Sequence, residues 1–328
     1  MRSPGPLSRP RGAAADWPVG HPSGRRAASG EPIESEDATA AHAPCSRMRV
    51  CASSTEGTRT PMGTISEILD SRDLLRNLVN RELKAGYKGS VLGMGWSLVN
   101  PLVTTVIFAL VFGVILRIDP PVNPRGQSNF AAYLLIGLMP WNYLSLSLTA
   151  GASSLVANGN LLRKVYFFRP ALPASTVIAN GVNFLASLVV LFAFLAFLRF
   201  PWYPALWMLP VPMFSLFVLC LGLSLLSSVT NLYFRDTQYL IGLFTQVWFY
   251  LTPIVYPISL VEAQIGDWLW LYNLNPATAL IDTFRAILYN GEVPMLATVL
   301  WSLGTSVAVF VVGWIVFRRA EPHFAEEV

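Results

Sequence analysis

From residue 94 onward the chain alternates long apolar runs with short polar connections, whereas residues 1–61 contain almost no apolar run. The runs lie at approximately 96–117, 130–155, 172–198, 205–230, 237–257 and 295–317. At a helical rise of about 1.5 Å per residue, each is long enough to cross a hydrocarbon core of about 30 Å. A buried helix of a soluble protein would be shorter and would carry a polar stripe, so the pattern predicts six membrane-spanning helices. A different period precedes them, over Ile65 to Lys88. Ile68, Leu69, Leu75, Leu78, Val79 and Leu83 make one apolar face there, with Arg72, Arg76, Arg81 and Lys84 off it. That profile predicts an amphipathic helix lying along the membrane surface; a solvent-exposed leader into the first span is the other reading.

Composition agrees with a membrane protein. Of 328 residues, 53% are hydrophobic and only 13% charged, about half the charged share of a soluble domain. This excludes an ordinary soluble enzyme and a wholly disordered chain. Residues 1–61, with eight arginines and six acids among Ala, Gly, Pro and Ser, are the exception. They read equally as a disordered cytoplasmic tail or as an upstream extension of the frame, with Met48 or Met62 as the start, and they lack the apolar core of a secretion signal. A net charge of +4 gives no argument for nucleic acid, and Cys45, Cys51 and Cys220 make neither a disulfide framework nor a metal pair.

The distribution of cations orients the spans. Eleven Lys and Arg fall on one side: Arg72, Arg76, Arg81, Lys84, Lys88, Arg163, Lys164, Arg169, Arg235, Arg318 and Arg319. Four, Arg117, Arg125, Arg199 and Arg285, fall on the other, so both termini are expected in the cytoplasm of a multi-pass inner-membrane protein.

Chemistry is sparse inside the runs. Apart from Arg117 at the very end of the first, they contain no Asp, Glu, Lys, Arg or His, and His21, His42 and His323 all lie outside them. Proton and ion relays ordinarily use such groups, so the energy for any transport should come from elsewhere. It does not come from this chain, because a P-loop requires Gly-Lys-Ser/Thr and Lys84, Lys88 and Lys164 follow Leu, Tyr and Arg. No set of acids, histidines or metal ligands converges as an active site would need. Asp236 beside Arg235, and Asp282 three residues before Arg285, read as local ion pairs.

Four ordered segments carry more. The first is Tyr87-Lys88-Gly89-Ser90-Val91-Leu92-Gly93-Met94-Gly95-Trp96-Ser97-Leu98-Val99-Asn100-Pro101-Leu102, whose glycines permit a sharp re-entry into the membrane, with Asn100-Pro101 as a helix start or a kink. The second is Asn158-Gly159-Asn160-Leu161-Leu162-Arg163-Lys164-Val165-Tyr166-Phe167-Phe168-Arg169-Pro170-Ala171-Leu172-Pro173. Asn231-Leu232-Tyr233-Phe234-Arg235-Asp236 leads through Gln246 to Thr252-Pro253-Ile254-Val255-Tyr256-Pro257, and Asn275-Pro276 precedes Asp282 and Arg285. In order and spacing these segments, with the tail Phe317 to Glu326, resemble the permease subunits of ABC-2 type exporters of polysaccharides such as O-antigen, teichoic acid and galactan. The resemblance covers about residues 66–328.

It implies an all-α membrane protein of six transmembrane helices, with an N-terminal amphipathic interfacial helix at 62–95 and re-entrant extracellular helices before the last span. The transmembrane domain would run over 96–317 and a cytoplasmic tail over 318–328. It further implies a second copy of the chain, two separate ATPase subunits that bind the ATP and Mg, a lipid-linked glycan as substrate, and no cofactor or metal in this chain. Leu162, Arg163, Lys164, Tyr166, Phe167, Arg169 and Pro170 would couple to the ATPase; without the resemblance this segment equally satisfies the positive-inside rule. Arg81, Lys84 and Tyr87 would guard the lateral entrance, and Asn275, Pro276, Asp282 and Arg285 would form the re-entrant region. Two stripes suit a sugar passage through hydroxyls and aromatic rings: Tyr133, Tyr143 and Ser147 in the second run, and Tyr239, Gln246 and Tyr250 in the fifth. Packing between helices accounts for the same stripes equally well. An exporter of drugs or lipids, a membrane-embedded glycosyl or phosphoryl transferase, and a scaffold subunit are the rival functions.

Overall fold

A computed structural model of the chain describes residues 72–87, 95–115, 117, 121–164, 167–200, 204–258, 272 and 274–324, all helical or connecting, with no strand among them. The extension 1–61, residues 62–71 of the amphipathic segment, Tyr166, and the side chains of Tyr87, Arg163 and Lys164 lie outside the described residues.

In chain order the helices are α1 (Arg72–Tyr87), α2 (Trp96–Phe108), α3 (Phe130–Ala157), α4 (Gly159–Lys164), α5 (Ala171–Phe197), α6 (Pro210–Tyr233), α7 (Thr237–Leu251), α8 (Pro276–Arg285) and α9 (Leu296–Ala320). A π-helical turn, Ala109–Ile115, prolongs α2, a second, Ala286–Asn290, prolongs α8, and 3-10 turns precede α6 and follow α9. Helix occupies all six apolar runs. Four of the helical stretches, Phe130–Ala157, Ala171–Phe197, Leu206–Tyr233 and Leu296–His323, are long and apolar enough to cross a membrane. The other two are shorter, so the described residues establish four candidate spans where periodicity predicts six. Of the two readings of Asn100-Pro101, the helix start is closed: α2 begins at Trp96, after Gly95, so the pair lies in its second turn.

The bundle is organised around α3, which is buried over 78% of its apolar stretch against 22% for the span ending the chain. It packs on α5, α6, α7 and α8, and α6 in turn packs on α9. Asn129 sets the first turn of α3 by accepting the Ala132 N–H at 3.0 Å. Helices associate closely where side chains vanish: a Cβ on Gly222 of α6 would sit 2.6 Å from the Phe310 backbone of α9. Small residues at such crossings let helices touch without a hydrophobic drive between them. Ser215 and Ser306 add a buried hydrogen bond of 3.0 Å across the same pair.

Two apolar clusters mark the two ends. The larger surrounds the N-terminal half of α3 and includes Tyr133, Trp141, Phe184, Phe284 and Tyr289. The smaller collects Leu78 of α1, Leu155 of α3, Leu162 of α4, Leu172 of α5, Leu232 of α6 and Phe317 and Phe324 of the chain's end.

Candidate functional site

At the C-terminal end of α3 the chain turns at Asn158, makes the single turn α4 and enters α5 through Phe167-Phe168-Arg169-Pro170. This connection is held from two directions. Arg81 of α1 donates to the Asn158 side-chain oxygen at 2.5 Å and pairs with Glu82 at 3.3 Å. Arg169 donates to the main-chain carbonyl of Glu321 and lies 6.0 Å from the centre of the Phe324 ring. Arg318 closes the arrangement: it is 5.4 Å from the Phe168 ring, 4.9 Å from the Trp314 ring, and pairs with Glu321 at 3.0 Å. Phe324 is fully buried and meets Phe317 edge-on at 5.1 Å.

Of the residues expected to couple, Leu162 and Pro170 are buried, and Phe167 is half-buried against the smaller cluster. Arg169 is half-buried and engaged within its own chain. The described residues of the segment are thus attached to α1 through Asn158 and to the chain's end through Arg169. Of the gate residues, Arg81 and Lys84 are exposed on α1. Glu321, Phe324 and Arg318, which brace the connection, carry no spacing signal linking them to residue 169; only the apolar Phe324 among polar neighbours hints that the tail docks.

At the opposite end of α3 two motifs that are separate in sequence meet. Asn275 caps α8 by accepting the Ala277 N–H at 3.0 Å, accepts from the Trp248 indole at 3.0 Å and donates to Thr252 at 3.0 Å. Arg285, at the end of α8, is buried. Its guanidinium donates to the carbonyls of Pro253 and Ile254, each at 2.6 Å, and lies 3.7 Å from the centre of the Tyr133 ring. This corrects the ion-pair expectation, because no salt bridge forms between Asp282 and Arg285, nor between Arg235 and Asp236, among the described residues. Two adjacent carbonyls at the end of α7 take the planar fork instead.

The two aromatic and hydroxyl stripes have different surroundings. Tyr133 and Tyr143 are each 5% exposed and Ser147 is fully buried. Tyr133 packs on Arg285 and Tyr289, and Tyr143 stacks on Phe184 at 5.1 Å while donating to the Val177 carbonyl at 3.2 Å. These three side chains lie inside the protomer, between helices. Tyr239, Gln246 and Tyr250 of α7 lie on its outside, with Tyr239 83% exposed. No group of three or more His, Cys, Asp or Glu side chains that could hold a metal occurs among the described residues.

Residues 73–289 match the family model of the ABC-2 type transporter membrane domain. The chain is 32% identical over 266 residues to the O-antigen export system permease protein RfbA of Myxococcus xanthus, covering 80% of this chain and 98% of that protein. It is 30% identical over 256 residues to the RfbA protein of Klebsiella pneumoniae, covering 77% and 94%. It is 20% identical over 249 residues to the polysialic acid transport protein KpsM of Escherichia coli, covering 74% and 91%.

Proposed function

Because this chain belongs to the ABC-2 type transporter family, we propose that it is the permease subunit that carries a lipid-linked polysaccharide of the O-antigen kind across the inner membrane. Two copies would form the passage, and two separate ATPase chains would bind ATP and Mg and supply the energy. Both termini and the 158–170 connection would face the cytoplasm, in line with the cation distribution.

Six spans suit this reading. Trp96–Ile115, α-helical and then π-helical, rises roughly 30 Å, enough for a first span. The 15 residues of α7 rise only about 22 Å, and the turn at 252–258 would complete the fifth. Between it and the last span, α8 with its π-helical turn would be re-entrant, on the side away from the ATPases. The exposed stripe of α7 remains the candidate lining; Tyr239, Gln246 and Tyr250 would face the passage between the two copies.

The observation that carries the coupling role is the double attachment of the 158–170 connection, to α1 through Arg81–Asn158 and to the chain's end through Arg169–Glu321. A displacement applied there by an ATPase would reach both the interfacial helix and the last span. Export of drugs or lipids would use the same coupling but is less in keeping with relatives named for O-antigen and polysialic acid. The test is reconstitution with and without a P-loop partner encoded beside the chain. Surface polysaccharide should appear only with both chains, and should vanish when the partner's P-loop lysine is replaced. ATP hydrolysis by this chain alone above a mock preparation, or export without a partner, would refute the assignment.

A further inference from the structure

A cleft of about 580 Å³ opens between α1, α2, α3 and α5, within the size range of small-molecule sites. Its polar lining includes four carboxamides, Asn100 from α2, Asn142 from α3, and Asn180 and Asn183 from α5, beside the hydroxyls of Ser145 and Thr176. Glu82 of α1 closes one side, and Trp96, 55% exposed, stands against the cleft. A smaller hollow of about 30 Å³ continues along Asn142, Asn180 and Asn183 toward Ser187. The helices presenting these amides are otherwise apolar, and α3 and α5 are two of the candidate spans.

Two of the amides need company: the side chains of Asn142 and Asn180 are half-buried and make no hydrogen bond among the described residues. Lipid chains cannot satisfy a carboxamide, and leaving one without a partner in an apolar medium is costly. Each amide offers one acceptor and two donors, which matches a hydroxyl able to do either. Among the described lining residues there is no Lys or Arg and one carboxylate, Glu82, a setting that disfavours phosphate and acidic sugars relative to a neutral polyol. A Trp face beside hydrogen-bonding groups suits a pyranose ring, apolar on its faces and polar at its edge.

We propose that this cleft binds a neutral sugar ring of the exported glycan, next to the interfacial helix and outside the stripe on α7. The inference rests on the reading of the chain as a glycan exporter and adds a contact site to it. Because α1 supplies a wall of the cleft and is bonded to Asn158, occupancy would be sensed by the same helix that braces the 158–170 connection.

The test uses the full chain with its partner ATPase in phosphatidylcholine nanodiscs and a diazirine-bearing alkyl glucopyranoside as photoprobe, mapped by peptide mass spectrometry. Label should concentrate on peptides holding Asn142 and Asn180, and fall at least tenfold with excess methyl glucopyranoside or with lipid-linked polysaccharide from the source cells. An alkyl phosphocholine of the same tail should not compete. Asn142→Leu with Asn180→Leu should lose the label tenfold or more at unchanged yield, and the wild-type mapping decides alone if that variant does not fold. Equal competition by the phosphocholine, label elsewhere, or displacement by a glycosyl diacylglycerol but not by the polysaccharide would each overturn the proposal. Surface polysaccharide in cells is scored separately: a wild-type chain that exports glycan without labelling the cleft sinks this site alone, whereas a wild-type chain that exports none sinks the exporter reading.

Discussion

Replacing Arg285 should weaken the fold in a graded order that reports the geometry of its fork. In Arg285→Met the carbonyls of Pro253 and Ile254, each holding a 2.6 Å bond, lose their donor inside the protein. Each buried carbonyl left unpaired costs about 1–3 kcal/mol. The lost stacking of a desolvated guanidinium, 3.7 Å from the Tyr133 ring centre, costs about 2 kcal/mol more. Against this, Met has no charge to desolvate, which recovers several kcal/mol. The net loss is about 2–4 kcal/mol, or roughly 3–6 °C in Tm for a chain of this size. Arg285→Lys keeps the charge but has one ammonium for two carbonyls, so it should fall about midway. The assay is thermal unfolding of the purified full chain in one detergent, followed by tryptophan emission, with the Arg, Lys and Met forms side by side. A Met form within 1 °C of the parent, or a Lys form equal to Arg, would show that the fork does not hold α7 to α8.

Three further outcomes are expected. Gly222→Leu should force α6 and α9 apart, because the new Cβ meets Phe310 backbone at 2.6 Å and backbone cannot yield; it should cost about 3 kcal/mol or more and raise protease sensitivity, while Gly304→Ala, inside α9 with open space around it, should not destabilise and should gain up to about 1 kcal/mol from helix propensity. Arg169→Lys and Phe324→Ala should both leave insertion intact and lower export together with partner ATPase activity, since each loosens the chain's end from the 158–170 connection; unimpaired export from both would remove that contact from the coupling argument. Arg199→Gly should raise Tm, because Arg199 ends α5 at φ +56°, a left-handed conformation that costs a residue with a side chain about 1–2 kcal/mol and glycine almost nothing; a lower Tm would mean that the Arg199 side chain contributes more than the backbone strain removes.

What the pattern of residues could disclose was the spans themselves. Runs expected at 130–155 and 172–198 form helices over Phe130–Ala157 and Ala171–Phe197, since apolar length is a property of the chain alone. Partners are a property of the fold. Spacing places Asp282 on the face of Arg285, yet the carbonyls of residues 253 and 254, about thirty positions away, offer the better acceptor pair. The stripe through Tyr133, Tyr143 and Ser147 is real as a period, but a polar stripe in a membrane helix faces a neighbour as readily as a passage, and here it faces neighbours. The carboxamides escaped because charge was the criterion for chemistry in the spans. Thr176, Asn180, Asn183 and Ser187, at steps of four, three and four along an apolar helix, were visible without any structure.

The two ends of α3 differ in how they are fastened, and that difference bears on where movement can begin. At the Arg285 end, a buried fork, a shared asparagine and the tyrosine pair Tyr133–Tyr289 tie α3, α7 and α8 inside the larger cluster. At the 158–170 end the polar fastenings are an exposed Arg81–Asn158 bond, the Arg169–Glu321 bond and a partly exposed Arg318–Glu321 pair, set over the smaller apolar cluster that holds Leu162, Phe317 and Phe324. Exposed polar links open at far lower free energy than a buried, fully desolvated knot. A load on the 158–170 connection would therefore shift α1 and the chain's end before it disturbed the α7–α8 corner. The stiff end would keep the helices in register while the soft end moves, which is the division of labour a subunit needs if a partner drives it from one side of the membrane.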